Sequence, residues 1–186
     1  MFFIPGWLIS LLTFPGIIVH EFAHRFFADL AKVPVYQVSY FRLGNPAGYV
    51  IHGPVKGLKD SFLISIGPLI VNTVLCALIT FSAVFPIYIL DAEEYSWVFG
   101  LLLWIGFSIG MHAFPSNDDL ENFVEQVKLE NMVKEVKKEK GGVLLLFFAR
   151  IFAWFLKLAN ALRVIWFDAI YAFGISMLLP WIFGLL

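Results

Sequence analysis

Cysteine occurs once in the chain, at Cys76 within an apolar run, which excludes an internal disulfide and a cysteine-rich zinc cluster and leaves packing as its expected role. Charge is scarce as well. Only 15% of the residues are Asp, Glu, Lys or Arg and the net charge is −1, so no broad basic surface is available and nucleic acid is not expected as a partner. Residues 2–19 carry no charged side chain. The opening MFFIPGWLIS has no basic region and runs on without a small-residue cleavage site, so it does not read as a removable signal peptide. What remains is 60% hydrophobic and 18% aromatic over 186 residues, with a mean hydropathy of +0.84. That is the composition of a polytopic membrane protein folded as one bundle, a single membrane domain over residues 1–186. No PDZ-like or nucleotide-binding domain is expected beside it.

The apolar opening leads into PGIIVHEFAHRFFADLA, where His20, Glu21 and His24 form an H-E-x-x-H pattern. On a helix the four-residue spacing turns about 400°, so both imidazoles face one side about one turn apart, as a single metal ion requires. Glu21 stands beside the first histidine, where it can act as general base on a water activated by the metal. Ionisable groups at membrane depth are costly, and two histidines with a glutamate there imply a ligand or a wet cavity. Zn²⁺ is the expected cofactor.

The first helix is expected over residues 1–32, starting near Pro5 and bent by Pro15 just before the motif, since Pro15 removes the backbone donor that would bond Leu11. Residues 33–59 are expected to leave the bilayer on the cytoplasmic side. They carry a β-hairpin, with strands at 36–43 and 49–52 around Gly44-Asn45-Pro46-Ala47-Gly48. His52, at a strand end, reads as polar surface, with a fourth metal-site histidine as the alternative. Residues 60–85 form a second span and 97–114 a third, joined by a link carrying Asp91, Glu93 and Glu94. Residues 116–140 read as a charged amphipathic cytoplasmic helix, expected to break or to change its packing surface near Lys128 because its two apolar sets fall on opposite faces, and to end at Gly141-Gly142. Residues 143–186 read either as two membrane helices with a turn near Phe167-Asp168 or as an interfacial helix followed by one span from Ala169.

HEFAH in the first core helix resembles the site-2 protease family of intramembrane zinc metalloproteases, in a small core-only form; the resemblance covers roughly residues 5–120. It implies an all-α membrane fold: a three-helix metalloprotease core, a small sheet after the first helix that binds unwound substrate, and here one or two C-terminal helices. It also implies a third zinc ligand from an aspartate at the end of the third core helix. MHAFPSNDD offers Asp119 in that place, with Asp118 as the alternative and His112 a weaker one. The same acids suit a helix N-terminus capped by Ser116 or Asn117. In the second core helix the family carries G-P-x-x-N, whose asparagine lines the substrate groove. This chain reads G-P-x-x-x-N, so the resemblance carries over to Gly67, Pro68 and Asn72 with a rotation of about 100° at the asparagine. A buried asparagine bonding a neighbouring helix is the competing reading.

Lys and Arg fall after the first helix (Arg42, Lys56, Lys59) and after the third (Lys128, Lys134, Lys137, Lys138, Lys140), whereas the link between the second and third carries only acids. The N-terminus is therefore expected outside and the active site towards the cytoplasm. With that orientation His24 lies ~12 Å and Pro68 ~13 Å from the inner ends of their helices, and Asp119 follows the inner end of the third. The resulting expectation is a zinc-dependent endopeptidase that hydrolyses peptide bonds in or near the transmembrane segment of a membrane-protein substrate. The alternative is a non-proteolytic membrane protein with a structural or transport metal site and a hairpin for docking a partner.

Overall fold

The computed structural model describes residues 5–90, 96–137 and 143–185. Asp91, Glu93 and Glu94 of the acidic link, Lys138, Lys140 and Gly141-Gly142 lie outside the described residues. The chain runs α1 (Gly6–Leu12), α2 (Phe14–Leu30), β1 (Val35–Ser39), β2 (Tyr49–His52), α3 (Leu58–Leu90), α4 (Ser96–Met111), α5 (Asn117–Lys137), α6 (Val143–Leu162) and α7 (Phe167–Ile182), with a 3-10 turn at Arg163–Ile165. It is a mostly helical protein with one two-stranded antiparallel sheet, as expected. Leu58–Pro86 and Val143–Leu162 are long and apolar enough to cross a membrane, and α1 with α2 qualifies as one bent span; α4 and α7 are apolar but shorter.

The single first helix of the sequence reading is two helices, bent by 84°. Pro15 sits in the first turn of α2, where a missing N–H costs nothing, and the chain breaks at Thr13 instead of kinking at the proline. Side chains collect the backbone groups this frees. Thr13 Oγ1 donates to the Ile9 carbonyl at 2.7 Å, Trp104 Nε1 to the Leu12 carbonyl at 2.9 Å, and the Gly16 N–H donates to Ser108 Oγ at 2.9 Å. At the other end α2 stops where Lys32 turns left-handed, φ 56°, ahead of Pro34.

Helices α2, α3, α4 and α7 form the bundle. Small residues set the close approaches. A Cβ at Gly16 would fall on the Ser108 backbone, one at Gly106 on Thr80, and one at Gly110 on Cys76 and Ala172. Cys76 is buried there as packing, as its sequence context suggests.

β1 pairs antiparallel with β2, with a bulge between Val35 and Gln37. The first strand ends at Ser39, short of the expected residue 43, because Phe41 turns to pack on Phe14 at a ring distance of 5.7 Å. The hairpin therefore lies back along α2 instead of projecting away from the helices. Arg42 holds the tip through its N–H on the Ala47 carbonyl and its Nε on the Pro46 carbonyl.

α5 is unbroken at Lys128, contrary to the expected break. Leu120, Phe123 and Val127 enter a core with Leu58 of α3 and Leu146, Ala149, Ala153 and Leu156 of α6. The second apolar set, Leu129, Met132 and Val133, stays exposed and asks for no change of packing surface. α6 buries one face on α5 and exposes Leu144, Phe147, Phe148, Ile151, Trp154 and Leu158 on the other.

Candidate metal centre

His20 and His24, one turn apart on α2, are both buried, and the first turn of α5 brings Asp119 against them. The His20 and His24 Nε2 atoms are 3.1 Å apart, and Asp119 Oδ2 lies 3.2 Å from His24 Nε2 and 3.7 Å from His20 Nε2. Bonds of 2.0–2.1 Å in a tetrahedral zinc site set ligand atoms about 3.3 Å apart, so the three fit one ion. Asp118 is exposed and stands outside this group.

The opposite ring nitrogens fix the tautomers. His20 Nδ1 meets the His112 carbonyl at 2.7 Å and His24 Nδ1 meets the Ile64 carbonyl at 3.1 Å. A carbonyl only accepts, so both Nδ1 atoms carry protons, and in the neutral imidazoles both Nε2 lone pairs point at one another and at a carboxylate. Such an arrangement is repulsive unless a proton on one ring, making it an imidazolium that faces Asp119, or a metal cation lies among the three.

Both carbonyls are free for this task because of nearby sequence. Pro68 has no N–H to bond residue 64, four positions earlier, so the Ile64 carbonyl inside α3 is left for His24. The His112 carbonyl lies just past the end of α4 and takes His20 and Asn72 together.

Asp119 is oriented by the helix it starts. Ser116 and Asp119 form a reciprocal capping box: the Asp119 N–H donates to Ser116 Oγ at 3.2 Å, and Asp119 Oδ2 accepts from the Ser116 N–H at 2.9 Å and its hydroxyl at 2.6 Å. Burial works against ionisation of the Asp119 carboxyl, but His24 and His20 outweigh it and hold the group well below the ordinary carboxylate range. It is therefore an anionic donor at neutral pH. The acid that suits the cap and the acid that suits the metal are one residue.

His20, Glu21, His24 and Asp119 line a cavity of about 1010 Å³ that residues 45–55 of the hairpin also line. Glu21 is buried at its edge and forms no hydrogen bond or ion pair among the described residues. Gly48 at the hairpin tip lies directly against it, where a Cβ would stand 2.7 Å from Glu21 Cγ and 2.9 Å from Oε1. His52 lines the same cavity with its Nδ1 on the Gly53 carbonyl and does not join the ligand group, and His112 Nε2 is engaged by Thr13 Oγ1 at 2.8 Å.

The second-helix residues carried over from the resemblance do not line the cavity. Gly67 makes room for the Phe27 ring, Pro68 is buried, and Asn72 is fully buried between helices. Its Nδ2 donates to the carbonyls of His112 (2.9 Å), Ile109 (3.1 Å) and Gly16 (3.4 Å), tying α2, α3 and α4 together. The amide thus faces the bundle and not the cavity. Asn72→Ala is expected to cost about 1–3 kcal/mol through the lost hydrogen bonds between helices, read as a lower unfolding temperature in detergent. Gly48 and the two carbonyls were not read from sequence as parts of the site, whereas Ser116 was read as a cap candidate, with S-x-x-D, SNDD at 116–119, as its signal. No family model, no curated protein and no solved structure matches the chain.

Proposed function

We propose that the chain is a zinc-dependent intramembrane endopeptidase of the site-2 protease type, hydrolysing peptide bonds in or near the transmembrane segment of a membrane-protein substrate. The carrying observation is the convergence of His20 Nε2, His24 Nε2 and Asp119 Oδ2 on one point in the wall of a large cavity, beside an unpaired glutamate.

These three atoms would hold Zn²⁺, which when bound supplies Lewis acidity to polarise the peptide carbonyl and to make water nucleophilic near neutral pH. The carboxylate of Glu21 accepts the proton of the attacking water and returns it to the leaving amine. Residues 50–55 in the cavity lining belong to β2 and its continuation, and the strand's outer edge offers main-chain groups to a substrate unwound into an extended form. An unpaired carboxylate beside the ligands favours catalysis over a structural site, where it would be a cost without a use.

The lipid bilayer is the natural solvent for the outer surface. α2, α3 and α4 expose Ile18, Phe22, Phe26, Val74, Leu78 and Leu101 on their outer sides. α6 rests on the charged α5, which suits an interfacial helix, and α7 then supplies the last apolar element of the bundle. Lysines and arginines follow α2 and α4, so the metal centre lies towards the cytoplasmic side.

Full-length protein purified in detergent is expected to carry about one zinc per chain and to cut members of a panel of single-span substrates. Chelation should stop cleavage and added zinc restore it, and His24→Ala should lose both metal and activity. Absence of zinc even after reconstitution would remove the central premise; zinc with no cleavage of any substrate would favour a structural site.

A further inference from the structure

The third ligand sits in the first turn of α5, directly after a segment with little architecture of its own. Residues 112–116 lie between α4 and α5, Pro115 has no N–H, and the carbonyls of Phe114 and Pro115 have no helical partner. Their position is set by the C-terminal part of the chain. Arg163, in the turn between α6 and α7, donates from Nη2 to the Phe114 carbonyl at 3.2 Å and to the Pro115 carbonyl at 3.1 Å. Its Nε lies 3.0 Å from Asp168 Oδ2 on α7, an ion pair that is only partly exposed and that holds the guanidinium from behind. Two residues after Pro115, Asn117 Oδ1 accepts from Asn160 Nδ2 of α6 at 2.8 Å. The Phe114 ring sits among Phe155, Phe167 and Tyr171, with centroids 4.8–6.1 Å away. The very next residue after Pro115 is Ser116, whose N–H and hydroxyl both hold Asp119 Oδ2.

We propose that Arg163, anchored by Asp168, is a positioning residue for the metal centre: it clasps the Phe114–Pro115 backbone and thereby fixes the Ser116–Asp119 capping box at ligand distance from His20 and His24. The proposal rests on the reading of Asp119 as third ligand. It gives the C-terminal helix pair, which lies outside the three-helix core, a part in building the site. Arginine suits the role because its planar fork spans two carbonyls and a carboxylate at once, which a lysine ammonium on a single flexible stem does not.

The test measures zinc affinity of folded full-length protein in detergent by competition with a chromophoric chelator, with helicity and unfolding temperature recorded for every variant. Arg163→Gln is expected to weaken zinc about 10–100-fold, the range found when groups that orient metal ligands are removed. Arg163→Lys should recover part of the loss, and Asp168→Asn, which leaves the guanidinium in place without its anchor, should fall between wild type and Arg163→Gln. Thr80→Val, which disturbs a buried hydroxyl on the Cys76 carbonyl far along α3, should lower the unfolding temperature with zinc affinity unchanged, so general loosening is separable from positioning. If Arg163→Gln folds with wild-type affinity while His24→Ala loses zinc, Arg163 is dismissed and the ligand set stands. If Arg163→Gln fails to fold, wild-type affinity in Asp168→Asn dismisses it equally. If wild type and His24→Ala bind zinc alike, the ligand set is wrong and the positioning role falls with it.

Discussion

Glu21→Gln should keep about one zinc per chain and lower turnover of a single-span substrate by about 10²–10⁴-fold, the usual range for removal of a general acid–base. The reasoning separates binding from chemistry. Glu21 is not among the three groups that converge on the metal point, so an isosteric amide leaves affinity for zinc intact. It lines the cavity wall without a protein partner, so no structural bond is lost. What disappears is a carboxylate next to His20, without a hydrogen-bond partner among the described residues, that can take a proton from water and give it to the amine. The loss should therefore appear in kcat with KM little changed. Loss of zinc from the variant would make Glu21 a ligand, and full turnover would place the base elsewhere.

The parts of this site that could be read in the sequence are those whose geometry is local. HEFAH needs only a helix to put His20 and His24 on one face, and α2 supplies it. Asp119 was readable from its place after the third helix. What singles it out over Asp118 is the capping box with Ser116, a local pattern four residues long. Asn72 was harder. Its helix was legible, but whether the amide faces a cavity or three carbonyls depends on how α2 and α4 pack on α3.

Pro68 illustrates the same limit from the other side. The residue was visible, but its effect falls on a carbonyl four positions away and matters only because His24 from another helix arrives there. Arg163 carried no signal, since a lone arginine in an apolar tail reads as a snorkelling side chain until Phe114 and Pro115 are brought against it. For α5 the periodicity was read correctly and its consequence was not. Opposed apolar faces imply a break only if both are covered, and Leu129, Met132 and Val133 are not.

Gly48→Ala is expected to lower kcat by about 10²-fold while zinc content and the unfolding temperature stay close to wild type, because a misplacement of about 1 Å at the reacting groups costs that much. The added methyl would stand 2.7 Å from Glu21 Cγ and 3.0 Å from Ile17 Cγ2, too near for either to remain where it is. Ile17 is buried on α2, so the strain passes to the Glu21 side chain or to the hairpin tip. Either movement changes the distance between the base and the metal point, while His20, His24 and Asp119 are held by other contacts and keep their ligand geometry. Gly57→Ala is the matched control, since nothing lies within 4 Å of a Cβ there although it sits in the same segment between α2 and α3. A displaced Glu21 would depress turnover of every substrate by a similar factor. A displaced hairpin would raise KM for substrates that must extend along β2 and spare short peptides, which need little of that edge. Unchanged kinetics in Gly48→Ala would mean that the hairpin tip yields freely and takes no part in placing the base.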